Sequence, residues 1–126
     1  VKTVVLDAGA LIGIDRGSET VRGYVLLADQ GRVALATSSA VIAQVWRGGT
    51  RQARLARFLA SDLVAEVALD PEAGRRIGAL AAVVGSADVV DGHVALIALD
   101  ADAVVLTSDP RDMARWGVPD KRIVRC

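Results

Sequence analysis

Five aspartates in three short groups are the residues of this chain best suited to do chemistry: Asp7, the pair Asp88 and Asp91, and Asp109 with Asp112. Asp7 closes the apolar run Val4-Val5-Leu6, and Asp109 follows closely on Val104-Val105-Leu106. Both runs read as buried strands. Asp88 and Asp91 stand at the head of an apolar stretch, Val89 to Leu99, that reads as a helix. Three residues apart, they share one helix face in or just before the first turn. Parallel strands of one sense end at the same sheet edge, where ligand sites of α/β folds gather. Carboxylates remote in sequence can therefore meet there. Such groups repel by about 3 kcal/mol per pair at ~5 Å and an effective dielectric of about 20. A bound divalent cation is the usual reason to assemble them.

Each group also has a purely structural reading. Asp7 fits an ordinary helix cap, and Asp88 is the better cap of its pair, because an acid at a helix N-terminus is stabilised by the macrodipole. Asp91 lies one turn further in and caps poorly, which favours it as the ligand. Asp109-Pro110 is a capping pattern in its own right. Even so, Thr107, Ser108 and Asp109 place three oxygen-bearing side chains at one strand end, suited to holding Mg²⁺ directly or through its waters. His93, two residues beyond Asp91, points to another side of the helix and reads as a partly exposed structural residue. The chain has no P-loop or G-x-G-x-x-G segment, and no side-chain nucleophile is evident.

These residues require a frame of strands and helices. Length of 126 residues suits one domain, 1–126, and the 52% hydrophobic fraction excludes disorder. Trp46, Trp116, Tyr24 and Phe58 are the only aromatic side chains apart from His93. The core must be aliphatic, as in a mostly parallel sheet covered by helices on both faces. Strands are expected near Thr3–Leu6, Val33–Ala36, Leu63–Ala68, Val104–Thr107 and Arg122–Val124. Helices are expected after Asp7, after Ser18, after Ser38 or Ser39 as far as Gly48-Gly49, over Thr50–Leu59, from Asp70-Pro71 to Val84, over Val89–Leu99, and from Asp109-Pro110 to Trp116. The alternation predicts a single α/β three-layer sandwich with about five strands.

Charge is segregated along the chain although the net charge is zero. Residues 30–61 hold Arg32, Arg47, Arg51, Arg54 and Arg57 and no acid, whereas residues 86–112 hold six aspartates and one arginine. Arg47, Arg51, Arg54 and Arg57 are candidates to face phosphates, or else line a solvated helix flank. Trp46 is placed either to stack on a base or to serve in core or interface.

The sequence resembles the PIN-domain ribonucleases, more narrowly the VapC-like toxins of type II toxin–antitoxin pairs. The resemblance rests on Val5-Leu6-Asp7-Ala8-Gly9-Ala10-Leu11-Ile12, on Asp91-Gly92-His93-Val94-Ala95-Leu96-Ile97-Ala98, and on Val105-Leu106-Thr107-Ser108-Asp109. It implies a PIN-like fold and four acids around one or two Mg²⁺ or Mn²⁺ ions. Asp7, Asp91 and Asp109 match three of them, as catalytic and metal-binding residues. Gln44 falls where the remaining acid, usually a glutamate, is expected, with Asp88 and Asp112 as residues able to restore charge. The resemblance further implies single-stranded RNA as substrate, a homodimer and a cognate antitoxin. The surface around Val45, Trp46, Leu55 and Phe58 is the expected antitoxin dock. Gln44 also motivates a second reading, a PIN-like module that binds RNA or protein without cleaving. A receiver-like phosphoacceptor domain is a third, but receivers need a lysine at a late strand end, and the only lysines are Lys2 and Lys121. The lone Cys126, the absence of a signal pattern and the lack of an ~18-residue apolar run point to a cytoplasmic protein without a membrane segment.

Overall fold

A computed structural model describes residues 1–126. Five strands, β1 (Lys2–Leu6), β2 (Val33–Ser38), β3 (Val64–Val67), β4 (Val104–Thr107) and β5 (Ile123–Arg125), form one sheet in the order β3-β2-β1-β4-β5. Every neighbouring pair is parallel, so the sheet is wholly rather than mostly parallel. Seven α-helices connect the strands: α1 (Ala8–Arg16), α2 (Glu19–Asp29), α3 (Ser39–Val45), α4 (Ala53–Ala60), α5 (Pro71–Val84), α6 (Val89–Ala101) and α7 (Pro110–Arg115).

The direction of travel across the sheet reverses once. β1, β2 and β3 proceed outward to one side, and β4 and β5 then build on the other flank of β1. Right-handed crossovers therefore assign α1–α4 to one face and α5–α7 to the other. The packing follows this division, α1 meeting α2, α3 and α4 while α6 meets α5 and α7, and α3 also reaches α6 beyond the end of β2. The crevice between the C-terminal ends of β1 and β4 is consequently the topological switch point, the place where open α/β sheets bind ligands.

The core is a cluster of 23 buried apolar residues, with Val4, Val5 and Leu6 of β1 and Val105 and Leu106 of β4 at 0–1% exposure. Burial on both faces explains why these strands are continuous aliphatic runs. α6 is lined on nearly every side by buried residues, Gly92 to Leu96 and Ala98, so it shows no amphipathic stripe. Gly92 is needed there for close approach: a Cβ would meet Ile77 and Trp116 at 2.8 Å.

Three local expectations are corrected. The helix expected to run to Gly48-Gly49 ends at Val45, where Trp46 turns extended. The helix expected over Thr50–Leu59 is a 3-10 turn, Thr50–Gln52, followed by α4. Gln52 causes the break: its Oε1 accepts from Arg47 and Gly48 N–H and its Nε2 donates to the Val45 carbonyl. Asp15 of α1 then supplies the missing cap by accepting from Leu55 N–H. Finally, the apolar surface expected around Val45, Trp46, Leu55 and Phe58 is mostly interior. Val45, Leu55 and Phe58 are buried, and Trp46 is 41% exposed in a shallow hollow with Ile42, Ala56, Leu59 and Ala60. No single helix is long and apolar enough to cross a membrane; α5 and α6 would pass only together, across a bend of 103°.

Candidate active site

The register Leu6↔Leu106 sets Asp7 beside Thr107, and Asp7 N–H donates to the Leu106 carbonyl at 3.0 Å. Asp7 is buried, with 5% exposure. One carboxylate oxygen accepts from Ala8 N–H at 2.8 Å, capping α1, and the other accepts from the Thr107 hydroxyl at 2.7 Å. Thr107, fully buried, in turn accepts from Asp109 N–H at 3.0 Å. Its hydroxyl thus bridges Asp7 to the Asp109 backbone, an orienting role beside the ligand role expected of it.

Asp109 occupies the cap position of α7 but makes no capping bond, so its exposed carboxylate is uncommitted. Asp88 caps α6 by accepting from Asp91 N–H at 3.0 Å. Asp91, in the first turn of α6, is left without that duty. Gly9 keeps the assembly tight: a Cβ on it would fall 1.9 Å from Ser108 Oγ, so only glycine lets α1 approach the β4–α7 loop.

The carboxylates share one electrostatic field. Burial raises the pKa of Asp7; the bonds from Thr107 and Ala8 oppose that rise, and the charges of Asp109 and Asp88 add to it. Asp91 is pushed up to about 7, first by burial and then by Asp88, Asp7 and Asp112. No arginine or lysine is among the charges acting on either residue. Asp7, Asp88, Asp91, Asp109 and Asp112 are therefore brought to one end of the sheet, and no basic side chain offsets the two least exposed of them, Asp7 and Asp91. No three acidic, histidine or cysteine side chains converge tightly enough to chelate an ion as they stand. The donor chemistry, oxygen only and repulsive in the absence of a cation, fits a hard divalent ion.

Gln44 lies apart from this group. It is exposed in a cleft of about 690 Å³ shared with Ala8, Asp15, Arg16, Arg47 and Arg51, adjoining Asp7 through Ala8. Arg47 and Arg51 face that cleft, whereas Arg54 lines a separate groove with Gly13, Gly17 and Arg22. Asp15 and Arg16 are cleft residues that the sequence reading missed. They lie two turns beyond Asp7 on α1, and nothing in their spacing relates them to Gln44.

His93 corrects an expectation. It is 1% exposed, not partly exposed, and its Nδ1 lies 2.6 Å from Ser38 Oγ. Ser38 caps α3 by accepting from Ala40 and Val41 N–H, so its own proton goes to His93 Nδ1 and the ring proton rests on Nε2. Burial lowers the pKa of His93. This pair ties the start of α3 to α6, and His93 Nδ1 is satisfied without a ligand.

The sheet order, the all-parallel strands and the acidic switch point define a PIN-like α/β fold. Over 98% of both chains, the structure superposes on "VapBC2 from Rickettsia felis bound to a DNA fragment from their promoter" with a TM-score of 0.72 and 16% identity. FitAB bound to an IR36 DNA fragment matches 97% of this chain and 94% of its own, with a TM-score of 0.63 and 14% identity. By sequence, no family model and no curated protein matches.

Proposed function

We propose that this protein is a Mg²⁺- or Mn²⁺-dependent endoribonuclease that cleaves single-stranded RNA, acting as the toxin of a toxin–antitoxin pair. One observation carries the reading: Asp7, Asp91 and Asp109 lie close enough at the switch point for the charge of Asp109 to raise the pKa of Asp7 and that of Asp7 to raise the pKa of Asp91, with no basic side chain opposing either rise. Asp7, Asp91 and Asp109 would hold the ion, with Asp88 and Asp112 adding charge. When bound, the cation supplies Lewis-acid stabilisation of a phosphodiester and a nucleophilic water at neutral pH.

The chain's own residues do the rest. Thr107 donates to Asp7 and so holds one carboxylate oxygen in place, while Ala8 N–H holds the other. Asp88 fixes the first turn of α6 and with it the position of Asp91. Ser108, exposed at the same strand end, offers a further hydroxyl. Arg47 and Arg51 line the neighbouring cleft and bind RNA phosphates; Arg54, on another groove, contributes to the general positive field. The likeness in fold to VapBC2 and FitAB, each bound to a DNA fragment, supports a cognate antitoxin as partner. A homodimer would cover the hollow in which the exposed Trp46 lies beside half-buried Ile42 and Leu59.

Purified protein is expected to cleave single-stranded RNA with Mn²⁺ or Mg²⁺ and not with EDTA, and Asp7→Ala to lower cleavage on the order of 10²–10³-fold. Metal-independent cleavage, or full activity in Asp7→Ala, would refute the proposal. Gln44 favours a second reading, an RNA- or protein-binding module with weakened turnover, since an amide replaces a charge near the site. Gln44→Glu is expected to tighten Mn²⁺ binding. If affinity does not change, Gln44 does not face the ion.

A further inference from the structure

The acidic centre has a second basic flank, opposite the one that faces α3 and α4. The β4–β5 register pairs Thr107 with Arg125, which sets Arg125 one strand away, about 4.8 Å between backbones, from the hydroxyl that holds Asp7. Arg125 and Arg111 line an open cleft of about 360 Å³ with Ser108, Asp109, Pro110 and Asp112, and no hydrophobic residue contributes to it. Asp109 thus belongs at once to the acidic group and to the wall of this cleft.

Two features show that these arginines do not serve the acids. Neither forms an ion pair, although two carboxylates line the same cleft; the ion pairs of the chain are Arg76–Asp100 and Arg122–Asp102. Neither is among the charges acting on Asp7 or Asp91. Arg125 rests only on the Ser108 carbonyl at 3.4 Å, and both guanidinium groups are exposed. Uncommitted guanidinium groups in a polar cleft are suited to bidentate recognition of phosphate.

We propose that Arg111 and Arg125 bind a backbone phosphate of single-stranded RNA on the side of the acidic centre opposite Arg47 and Arg51. The strand then crosses the sheet edge from one arginine pair to the other, over the carboxylates that would repel it if no cation were bound. This inference rests on the ribonuclease reading above and adds a subsite to it.

The test is the salt dependence of RNA binding with Ca²⁺ held constant in place of Mg²⁺ or Mn²⁺, so that the carboxylates are neutralised, with a mixed-sequence single-stranded RNA oligonucleotide as probe and its intactness checked on a gel. Removing both side chains in R111A/R125A is expected to reduce the slope of log K against log salt by about 0.7 for each phosphate that is no longer neutralised. Arg125→Lys is expected to retain the slope, because it keeps the charge; its thermal melting is the folding control. If wild type binds RNA and R111A/R125A shows the same slope and affinity, the subsite is wrong and the ribonuclease reading stands. If wild type shows no salt-dependent RNA binding, both fail together. Weaker binding confined to duplex DNA, with RNA binding intact, would also overturn the proposal.

Discussion

Two strand ends of this molecule carry the same device and use it differently. At the end of β2, the Ser38 hydroxyl is hydrogen-bonded to a buried titratable group, His93. At the end of β4, the Thr107 hydroxyl is hydrogen-bonded to another, Asp7. The Ser38 hydroxyl is saturated: it accepts two backbone N–H groups and donates to a neutral ring. Thr107 and Asp7 leave a residue of negative charge, to which Asp88, Asp91, Asp109 and Asp112 add. Buried polar pairs are therefore not in themselves signs of function. Unbalanced like charge at a switch point is the distinguishing feature, because structure alone gives no return for it.

The contrast can be broken most sharply at Asp7. Asp7→Ala is expected to lower metal-dependent RNA cleavage on the order of 10²–10³-fold, the scale of losing one group that stabilises transition-state charge. Ser38→Ala is expected to act on stability instead. It removes the α3 cap and leaves His93 Nδ1 unpaired, a loss of about 2–4 kcal/mol in denaturant unfolding. Mn²⁺ affinity of the folded fraction should be unaffected. A Ser38 variant that unfolded normally but lost Mn²⁺ would show that the two strand ends are not separate in role.

Thr107→Val sharpens the same comparison from the acidic side. Without the hydroxyl, Asp7 keeps its burial and loses the bond that lowers its pKa, so Mn²⁺ affinity should fall about 10–100-fold, the usual cost of deleting an orienting partner. A calorimetric titration would read it. The smallest effect is expected at Asp91, in metal-free protein. Its folded pKa of about 7 lies above the ordinary value of 3.8, so between those values the folded state binds more protons than the unfolded. Stability from this group is therefore full below pH ~4 and is lost as pH rises through ~7. Asp91→Asn should then be more stable than wild type at pH 8 by about 1–2 kcal/mol, a figure discounted for solvent screening, and equal to it near pH 4. Denaturant unfolding at the two pH values checks this.

Much of the scaffold was legible because strong local signals agreed with the tertiary fold. The runs Val4–Leu6 and Val104–Thr107 announced buried parallel strands, and Asp70-Pro71 capped and opened α5 as its chemistry requires. The meeting of Asp7 with Thr107 at one sheet edge followed from the common sense of β1 and β4. What escaped was long-range in origin. The break before α4 comes from Gln52 bonding back across its own loop and from Asp15 reaching over from α1. His93 was misjudged because α6 is enclosed on nearly all sides, so helical spacing gave no exposed face to read. Arg54 parted from Arg51 because α4 turns it toward α1 and α2. Arg125 sits on an edge strand whose partner, β4, is known only from the sheet order.

A Mn²⁺ titration of wild type beside Asp7→Asn, Asp91→Asn and Asp109→Asn reads the shared cation site most directly. Saturable binding in wild type and a marked loss in each variant is the predicted result. Unchanged binding in any of the three, with the fold intact, would contradict a common ion at the switch point.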